Sequence, residues 1–438
     1  MDVAALMMSL KNLGNGLPIK AISILLFLFN LNCVFIPEFE RANLPPRMIE
    51  RICDQANSLA PAPNADFVTP TARVSIAEYP DFNDDLDFEG VELVLQRQLE
   101  RYKERSMIGS ITFGQDRYPL IRVKESLIRF GELVRAAKQC TQSGKKSKEK
   151  CWADFRGQLH EQFVLYAPKL APEDPRFGES GQVLFTGYYT PHLEVSLWRT
   201  EEYSIPIYAK PDDEWVNRAG RYQIDFQSVL AGRGLELFYA KDRFAVYLLH
   251  LEGGGRVSYR DVQGIQHSEY VSYAGSNGRQ WRFLSTQMLD RNWITDPAVP
   301  FQRQFIEENP QLEPQIFSYC PSYVFFRPTY HPPEGSDLVP LTDNRSIATD
   351  RNNYGFKGVL AFVSAKRPRP LSHDNNKDIE MMPFSRFVLD QDTGGSIKGK
   401  ARVDFYFGEG EYAELAANTV KQRGDIYFLM LKSEDGAP

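Results

Sequence analysis

The residues best placed to do chemistry lie near the C-terminus, in the run Asp390-Gln-Asp-Thr-Gly-Gly-Ser-Ile-Lys-Gly-Lys-Ala-Arg-Val-Asp-Phe-Tyr-Phe-Gly-Glu-Gly410. Three aspartates (Asp390, Asp392, Asp404), five glycines and the cations Lys398, Lys400 and Arg402 sit between two apolar runs. A carboxylate at a strand end, beside glycines that leave open space, suits proton transfer. The plainer reading makes Asp392 and Asp404 turn and strand-end residues, solvated or paired with Lys398 and Arg402. Two elements must hold this run. Arg386-Phe-Val-Leu reads as a short buried strand, and Arg402-Val-Asp-Phe-Tyr-Phe alternates polar with apolar as a second. Gly394-Gly395 and Gly399 mark positions of positive φ or close approach between them.

The chain of 438 residues has room for two or three domains, and its net charge of −6 argues against nucleic acid as a partner. The 21 tyrosines and 29 phenylalanines are mostly packing residues, although aromatics also line sugar-binding grooves. At the N-terminus, Lys11 and Lys20 precede the apolar run Ala21–Phe29, which fits a signal-peptide core better than a membrane span. Cys33 follows it as a candidate lipidated cysteine, with Asn32 in place of the usual small residue. An uncleaved anchor is the alternative form of attachment. Cys140 and Cys151 flank a polar loop. They either bridge, closing a short loop for about 2–3 kcal/mol, or remain two free thiols. No Cys/His spacing indicates a metal, and Glu252-Gly-Gly-Gly lacks the context of a phosphate loop.

Residues 1–36 are thus expected to be a signal or anchor and 37–89 a linker, rich in Ala and Pro at 59–65 and acidic at 81–87. Helical periodicity begins at Val91 and recurs over 121–140 and 152–166. After Pro175 strands and turns dominate. Gln182 to Pro191 is a strand running into Gly-Tyr-Tyr-Thr-Pro, where Tyr188 and Tyr189 are candidates to stack on a sugar. Val246–Gly255 is a buried helix or strand with Glu252 at the mouth of its glycine loop, and Asn277-Gly278 is a turn signal.

The ordered set Phe185-Thr-Gly-Tyr-Tyr-Thr-Pro191, Tyr273-Ala-Gly-Ser-Asn-Gly278, Ser322-Tyr-Val-Phe-Phe326, Val339-Pro-Leu-Thr342, Arg345-Ser-Ile-Ala-Thr-Asp350, Asp392-Thr-Gly-Gly-Ser-Ile-Lys-Gly399 and Asp404 resembles the membrane-bound lytic murein transglycosylase A family, from about residue 90 onward. Asp350, Asp392 and Asp404 look like the aspartates that name its C-terminal 3D region. The resemblance implies a mainly β fold with N-terminal helices: a double-psi β-barrel into which a second β-rich domain is inserted, with a glycan groove between them. The helical segment and first barrel strands would take 90–203, the insert 204–320, and the rest of the barrel 321–438.

The resemblance also implies an exported bacterial enzyme of the cell envelope, periplasmic and held at the outer membrane by lipid or by an N-terminal anchor. Such enzymes cut the β-1,4 bond between N-acetylmuramic acid and N-acetylglucosamine without water and leave 1,6-anhydromuramic ends. Peptidoglycan would be the partner, with other wall enzymes as further partners, and no organic cofactor or metal is implied. Asp404 would be the one general acid and base, with a pKa raised by burial or by a charge such as Asp392. Asp392, Asp350 and Lys398 would support it, and Tyr188, Tyr189, Glu252 and Asn277 would contact substrate. Two departures stand out: Glu252-Gly-Gly-Gly where the family more often has Gln-Gly-Ser-Gly, and no Pro-Gly turn after Asp350. An aspartic protease, suggested by Asp392-Thr-Gly, would need a second such motif, which the chain lacks. A wall-binding protein without catalysis on the same fold is the remaining alternative.

Overall fold

The computed structural model describes residues 65–170, 182–214, 218–370 and 379–432. The signal or anchor reading of 1–36, with Cys33, lies outside them. Residues 66–101 and 110–432 belong to one compact unit, which carries the site, and 102–109 to another. No helix among the described residues is long and apolar enough to cross a membrane.

In chain order the N-terminal part comprises strands β1 (Ala65–Thr69) and β2 (Thr71–Arg73), helix α1 (Val91–Glu104), strands β3 (Gly109–Phe113) and β4 (Asp116–Pro119), and helices α2 (Leu120–Ser143) and α3 (Lys148–Gln162). Helix α2 ends at Gly144, which takes φ +64, and Ser147 opens α3 by accepting from the Lys150 N–H. A disulfide between Cys140 and Cys151 joins the two helices. Helix α3 stops at Gln162, short of the 152–166 expected from periodicity. Phe163–Pro168 is instead the buried strand β5, because a continuous apolar run serves a two-sided buried strand as well as a helix face.

Residues 37–89 were expected to link, yet 65–89 pack closely. Phe82 is fully buried, and its ring meets Phe362 and Phe387. Asp84 is buried against Arg345, whose Nη1 donates to its Oδ2 at 2.6 Å. Phe88 stacks on Trp152, and Phe130 and Phe155 close the same aromatic layer over Phe387.

The remaining strands form two sheets. Strands β6 (Val183–Thr190), β7 (His192–Ser196), β8 (Ile205–Tyr208), β9 (Glu236–Ala240), β10 (Gly254–Arg260), β11 (Gln266–Ser276) and β12 (Val324–Thr329) are followed by β13 (Ser346–Thr349), β14 (Val359–Pro368), β15 (Met381–Asp392), β16 (Arg402–Glu409) and β17 (Lys421–Leu431). Strands β7 to β12 make a six-stranded sheet in the order β12-β11-β10-β7-β9-β8. The second sheet runs β14-β15-β13-β16-β6-β17-β5-β2, and β14 also pairs with β17. That last pairing closes β14, β15, β13, β16, β6 and β17 into a ring. Within it the pairs β13–β15 and β16–β6 are parallel, and the other four are antiparallel.

The helices of this half are α4 (Arg221–Asp225), α5 (Arg243–Glu252), α6 (Leu284–Asp290), α7 (Val299–Glu308), α8 (Glu313–Ser318) and α9 (Glu411–Thr419). Helix α5 packs Val246 and Leu249 onto Leu193, Val195, Ile207, Phe238, Val257 and Val271 of the six-stranded sheet. Asp242 caps its start by accepting from the Ala245 N–H at 2.6 Å, and Gly253 ends it at φ +76. The two glycines that follow are there for space. A Cβ on Gly254 would lie 2.8 Å from the Val271 carbonyl oxygen, and one on Gly255 would lie 2.4 Å from Leu249.

Candidate active site

Strand β16 presents Asp404. Val403 and Phe405 point into the core, so the period of two sends Arg402 and Asp404 to the opposite face, where both are half-buried. Parallel pairing sets Asp404 beside Thr186 of β6, and antiparallel pairing sets Ala348 of β13 on its other side. Arg402 donates to the Thr186 hydroxyl oxygen from Nε and Nη2, at 3.2 and 2.8 Å. With its lone pairs so engaged, Thr186 directs its single O–H to Asp404 Oδ1. Burial raises the Asp404 pKa above the ordinary aspartate value, and the Arg402 charge and the Thr186 hydrogen bond oppose that rise without cancelling it. The carboxyl is therefore a better proton carrier than a solvated aspartate while remaining partly accessible.

Asp392 closes β15. Its Oδ1 accepts from the N–H groups of Ser336 at 2.8 Å and Thr393 at 2.7 Å. Burial raises its pKa, against the pull of those two donors and of Lys357. Between Asp392 and Asp404 lies the phenol of Tyr188, whose ring sits 5.1 Å from that of Tyr406. Its hydroxyl is buried without a hydrogen bond of standard geometry. Burial and then the charges of Asp392 and Asp404 hold its proton far above the usual phenol range. Tyr188 is thus a neutral donor facing two carboxyls.

Beneath them, Asp390 is buried with Lys357 at 3.0 Å and accepts from Thr349 Oγ1 at 2.8 Å. Its pKa is pushed up to about 6, by burial more than its partners lower it. Asp350 plays a different part. Its Oδ2 accepts from Gly399 N–H at 2.7 Å and Asn353 Nδ2 at 2.8 Å, and its Oδ1 from Asn352 N–H at 3.0 Å. Burial pushes its pKa up, but these bonds and the Lys398 charge outweigh burial and leave it lowered. Asp350 therefore ties down the loop between β15 and β16, where Gly399 takes φ +88.

A further carboxyl approaches from the six-stranded side. Glu252 accepts from the Tyr189 N–H at 3.2 Å through Oε2, and the Tyr189 hydroxyl donates to Glu414 Oε1 at 3.3 Å. Burial pushes the Glu252 pKa up to about 8. The Tyr189 N–H lowers it, and the charges of Asp404 and Glu414 raise it further. Strand β6 therefore serves both acids, Asp404 through Thr186 and Glu252 through Tyr189.

The structure brings together Asp404, Asp392, Tyr188, Tyr189 and Glu252, and leaves three expectations elsewhere. Tyr188 and Tyr189 are not exposed stacking platforms: Tyr189 is buried and the Tyr188 hydroxyl is enclosed, because both belong to a central barrel strand. Asn277 is buried and its amide is fully engaged. Its Nδ2 donates to the carbonyls of Ala219 and Pro321, and its Oδ1 accepts from the N–H groups of Tyr323 and Arg279. It binds the strand β11 exit to neighbouring loops and has no atom left for a substrate. Lys398 is exposed and acts on Asp350 by charge. The sequence names Arg402 only as a possible ion partner of the aspartates, and it does not point to Thr186 or Glu414. No cluster of metal-ligating residues occurs among the described residues.

Residues 184–327 match the MltA-specific insert domain and residues 345–430 match the 3D domain. The chain is 28% identical to the membrane-bound lytic murein transglycosylase A of Vibrio cholerae over 288 residues, covering 62% of this chain and 71% of that protein. It is 29% identical to the Escherichia coli K12 protein of the same name over 261 residues, covering 59% and 67%. Among solved structures, the fold is similar to a membrane-bound lytic murein transglycosylase from Agrobacterium tumefaciens, with TM-score 0.60, 24% identity and coverage of 82% and 97%. It is equally similar to E. coli MltA with bound chitohexaose, at TM-score 0.60, 22% identity and coverage of 84% and 96%.

Proposed function

The chain belongs to the membrane-bound lytic murein transglycosylase A family, and on that premise we propose that it cleaves the β-1,4 bond between N-acetylmuramic acid and N-acetylglucosamine of peptidoglycan without water. The observation that carries this reading is Asp404: one half-buried carboxyl with a raised pKa, one of whose oxygens is held by Thr186. The other oxygen, Oδ2, is the one that meets the glycosidic oxygen and gives it a proton. The carboxylate so formed then takes the proton of the muramic acid C6 hydroxyl as that hydroxyl attacks C1. The nucleophile belongs to the substrate, so proximity replaces the second enzymic carboxylate that a hydrolase requires.

Asp392 and Tyr188 stabilise and orient the proton on Asp404, Asp350 and Lys398 hold the adjoining loop, and Glu252, held by the Tyr189 N–H, lines the glycan path. The closed ring with two parallel pairs supports a double-psi barrel, and the glycan path is a groove between that barrel and the six-stranded sheet. The chitohexaose held by the E. coli relative supports a β-1,4-linked amino-sugar strand as the ligand. A location in the cell envelope accords with the membrane-bound relatives, and attachment at the outer membrane through Cys33 is part of the same reading.

The test is Asp404→Asn. Release of muropeptides from purified peptidoglycan should fall by roughly 10²–10⁴-fold with melting behaviour unchanged. Undiminished release would overturn the assignment. Retained binding to peptidoglycan by an inactive Asp404→Asn variant separates a lost acid from a lost ligand.

A further inference from the structure

Glu252 stands where a carboxylate is hard to keep charged. It is the last residue of α5, at the negative end of the helix dipole. Its one hydrogen bond comes from the Tyr189 N–H to Oε2, which leaves Oε1 for something else. The charged groups that face it are acidic: Asp404 from β16 and Glu414 from α9. Strand β10 brings Arg256, but that guanidinium is held by Glu409 at 3.5 Å. Strands β8 and β9 meet α5 through Ile207, Phe238 and Ala240, which carry no charge. Strand β6 contributes only the backbone of Tyr189, and no cation among the described residues pairs with Glu252.

The two acids are also close enough to act on one ligand. Thr186, bonded to Asp404, and Tyr189, bonded to Glu252, lie three residues apart on one strand, about 10 Å. A disaccharide covers that reach.

We propose that Glu252 is a second acid of this site, which in its neutral form donates a hydrogen bond from Oε1 to an acetamido or hydroxyl oxygen of the glycan whose bond Asp404 protonates. The proposal rests on the transglycosylase reading and adds to it a donor that titrates. With its pKa pushed up to about 8, Glu252 keeps its proton at neutral pH beside Asp404, whose own pKa burial also raises. A neutral carboxyl donates and accepts as a glutamine amide does. Once ionised, it offers the sugar no donor and puts a second negative charge beside Asp404. The site is therefore able to lose activity in two proton steps on the alkaline side.

The experiment is the pH dependence of initial muropeptide release by the full chain, wild type against Glu252→Gln, Glu252→Ala and Asp404→Asn, between about pH 5 and pH 10. The ratio of Glu252→Gln to wild-type rate should be flat below about pH 7 and climb above pH 8, approaching tenfold per pH unit. Glu252→Ala, without a donor, should run at least about tenfold below Glu252→Gln in the flat region. A Gln-to-wild-type ratio that stays flat across the range, or a Gln variant no better than Ala, overturns the proposal while leaving the role of Asp404 intact. Full activity in Asp404→Asn removes the reading on which it rests. Unchanged melting of Glu252→Ala at pH 6 excludes misfolding as the source of its loss.

Discussion

Thr186 bonds Asp404 Oδ1 through its hydroxyl and, after burial and the Arg402 charge, is the third influence on that acid's proton affinity. Accepting from Arg402 forces its O–H toward Asp404 and so lowers a pKa that burial raises. Replacing it by Val removes the lowering contribution. The Asp404 pKa then rises further, and the descending limb of kcat/KM should move to higher pH, with a smaller kcat because the carboxyl is no longer held. A limb that stays in place or moves to lower pH contradicts the assignment.

Glu252 gives a second titration, read in stability. Its carboxyl has an ordinary pKa of 4.5 and is pushed up to about 8 in the fold. The folded state thus binds the proton more tightly, and the stability gained is present below 4.5 and is lost as pH rises through about 8. Glu252→Gln does not titrate, so its melting temperature minus that of the wild type should grow from about pH 5 to pH 9. A constant difference would mean that the carboxyl is not perturbed. At this scale the placement of Asp392 at a strand end and of Asp404 on an alternating strand is legible in the sequence, because both patterns are local. Thr186 is hidden, because its bond to Asp404 joins residues 218 apart in the chain.

Among the elements, β6 is the organiser: it pairs with β16 in parallel and β17 antiparallel, and hands hydrogen bonds to both acids. Ring closure depends on a close approach at Gly424 of β17. A Cβ there would lie 2.2 Å from the Ser364 carbonyl oxygen and 2.9 Å from Ala365 Cβ. Gly424→Ala should cost about 1–3 kcal/mol or more in denaturant unfolding, since a backbone oxygen cannot give way as a flexible side chain does. An unaffected midpoint would show that β14 and β17 are not held this tightly. Periodicity made helices near 91–104 and 121–140 and the two strands around the candidate acids legible. It failed at Phe163–Pro168, where apolar residues at helical spacing are also a run that a buried strand uses. It also misjudged Tyr188 and Tyr189, because a turn-like Gly-Tyr-Tyr-Thr-Pro sits inside a barrel strand whose neighbours come from distant sequence.

The whole molecule is tied together by bonds that composition disguises. The acidic run 81–87 reads as solvated, yet Asp84 is completely buried with Arg345, which also donates to the carbonyls of Glu89 and Phe387. Asp84→Ala strands that guanidinium in the core, and a loss of about 3–5 kcal/mol in unfolding free energy is expected. A loss below 1 kcal/mol would show that Arg345 reaches solvent. The overall fold was legible only through the ordered blocks from Phe185 to Asp404, since pairings such as β6 with β16 have no local signature.

What leaves the enzyme identifies the reaction. Mass spectrometry of the muropeptides released from purified peptidoglycan decides it most directly. Products one water lighter than hydrolysed ones, ending in 1,6-anhydromuramic acid, are expected from the wild type, and none when Asp404 is replaced by Asn. Reducing-end products would contradict it, and would require a water-activating carboxylate alongside Asp404.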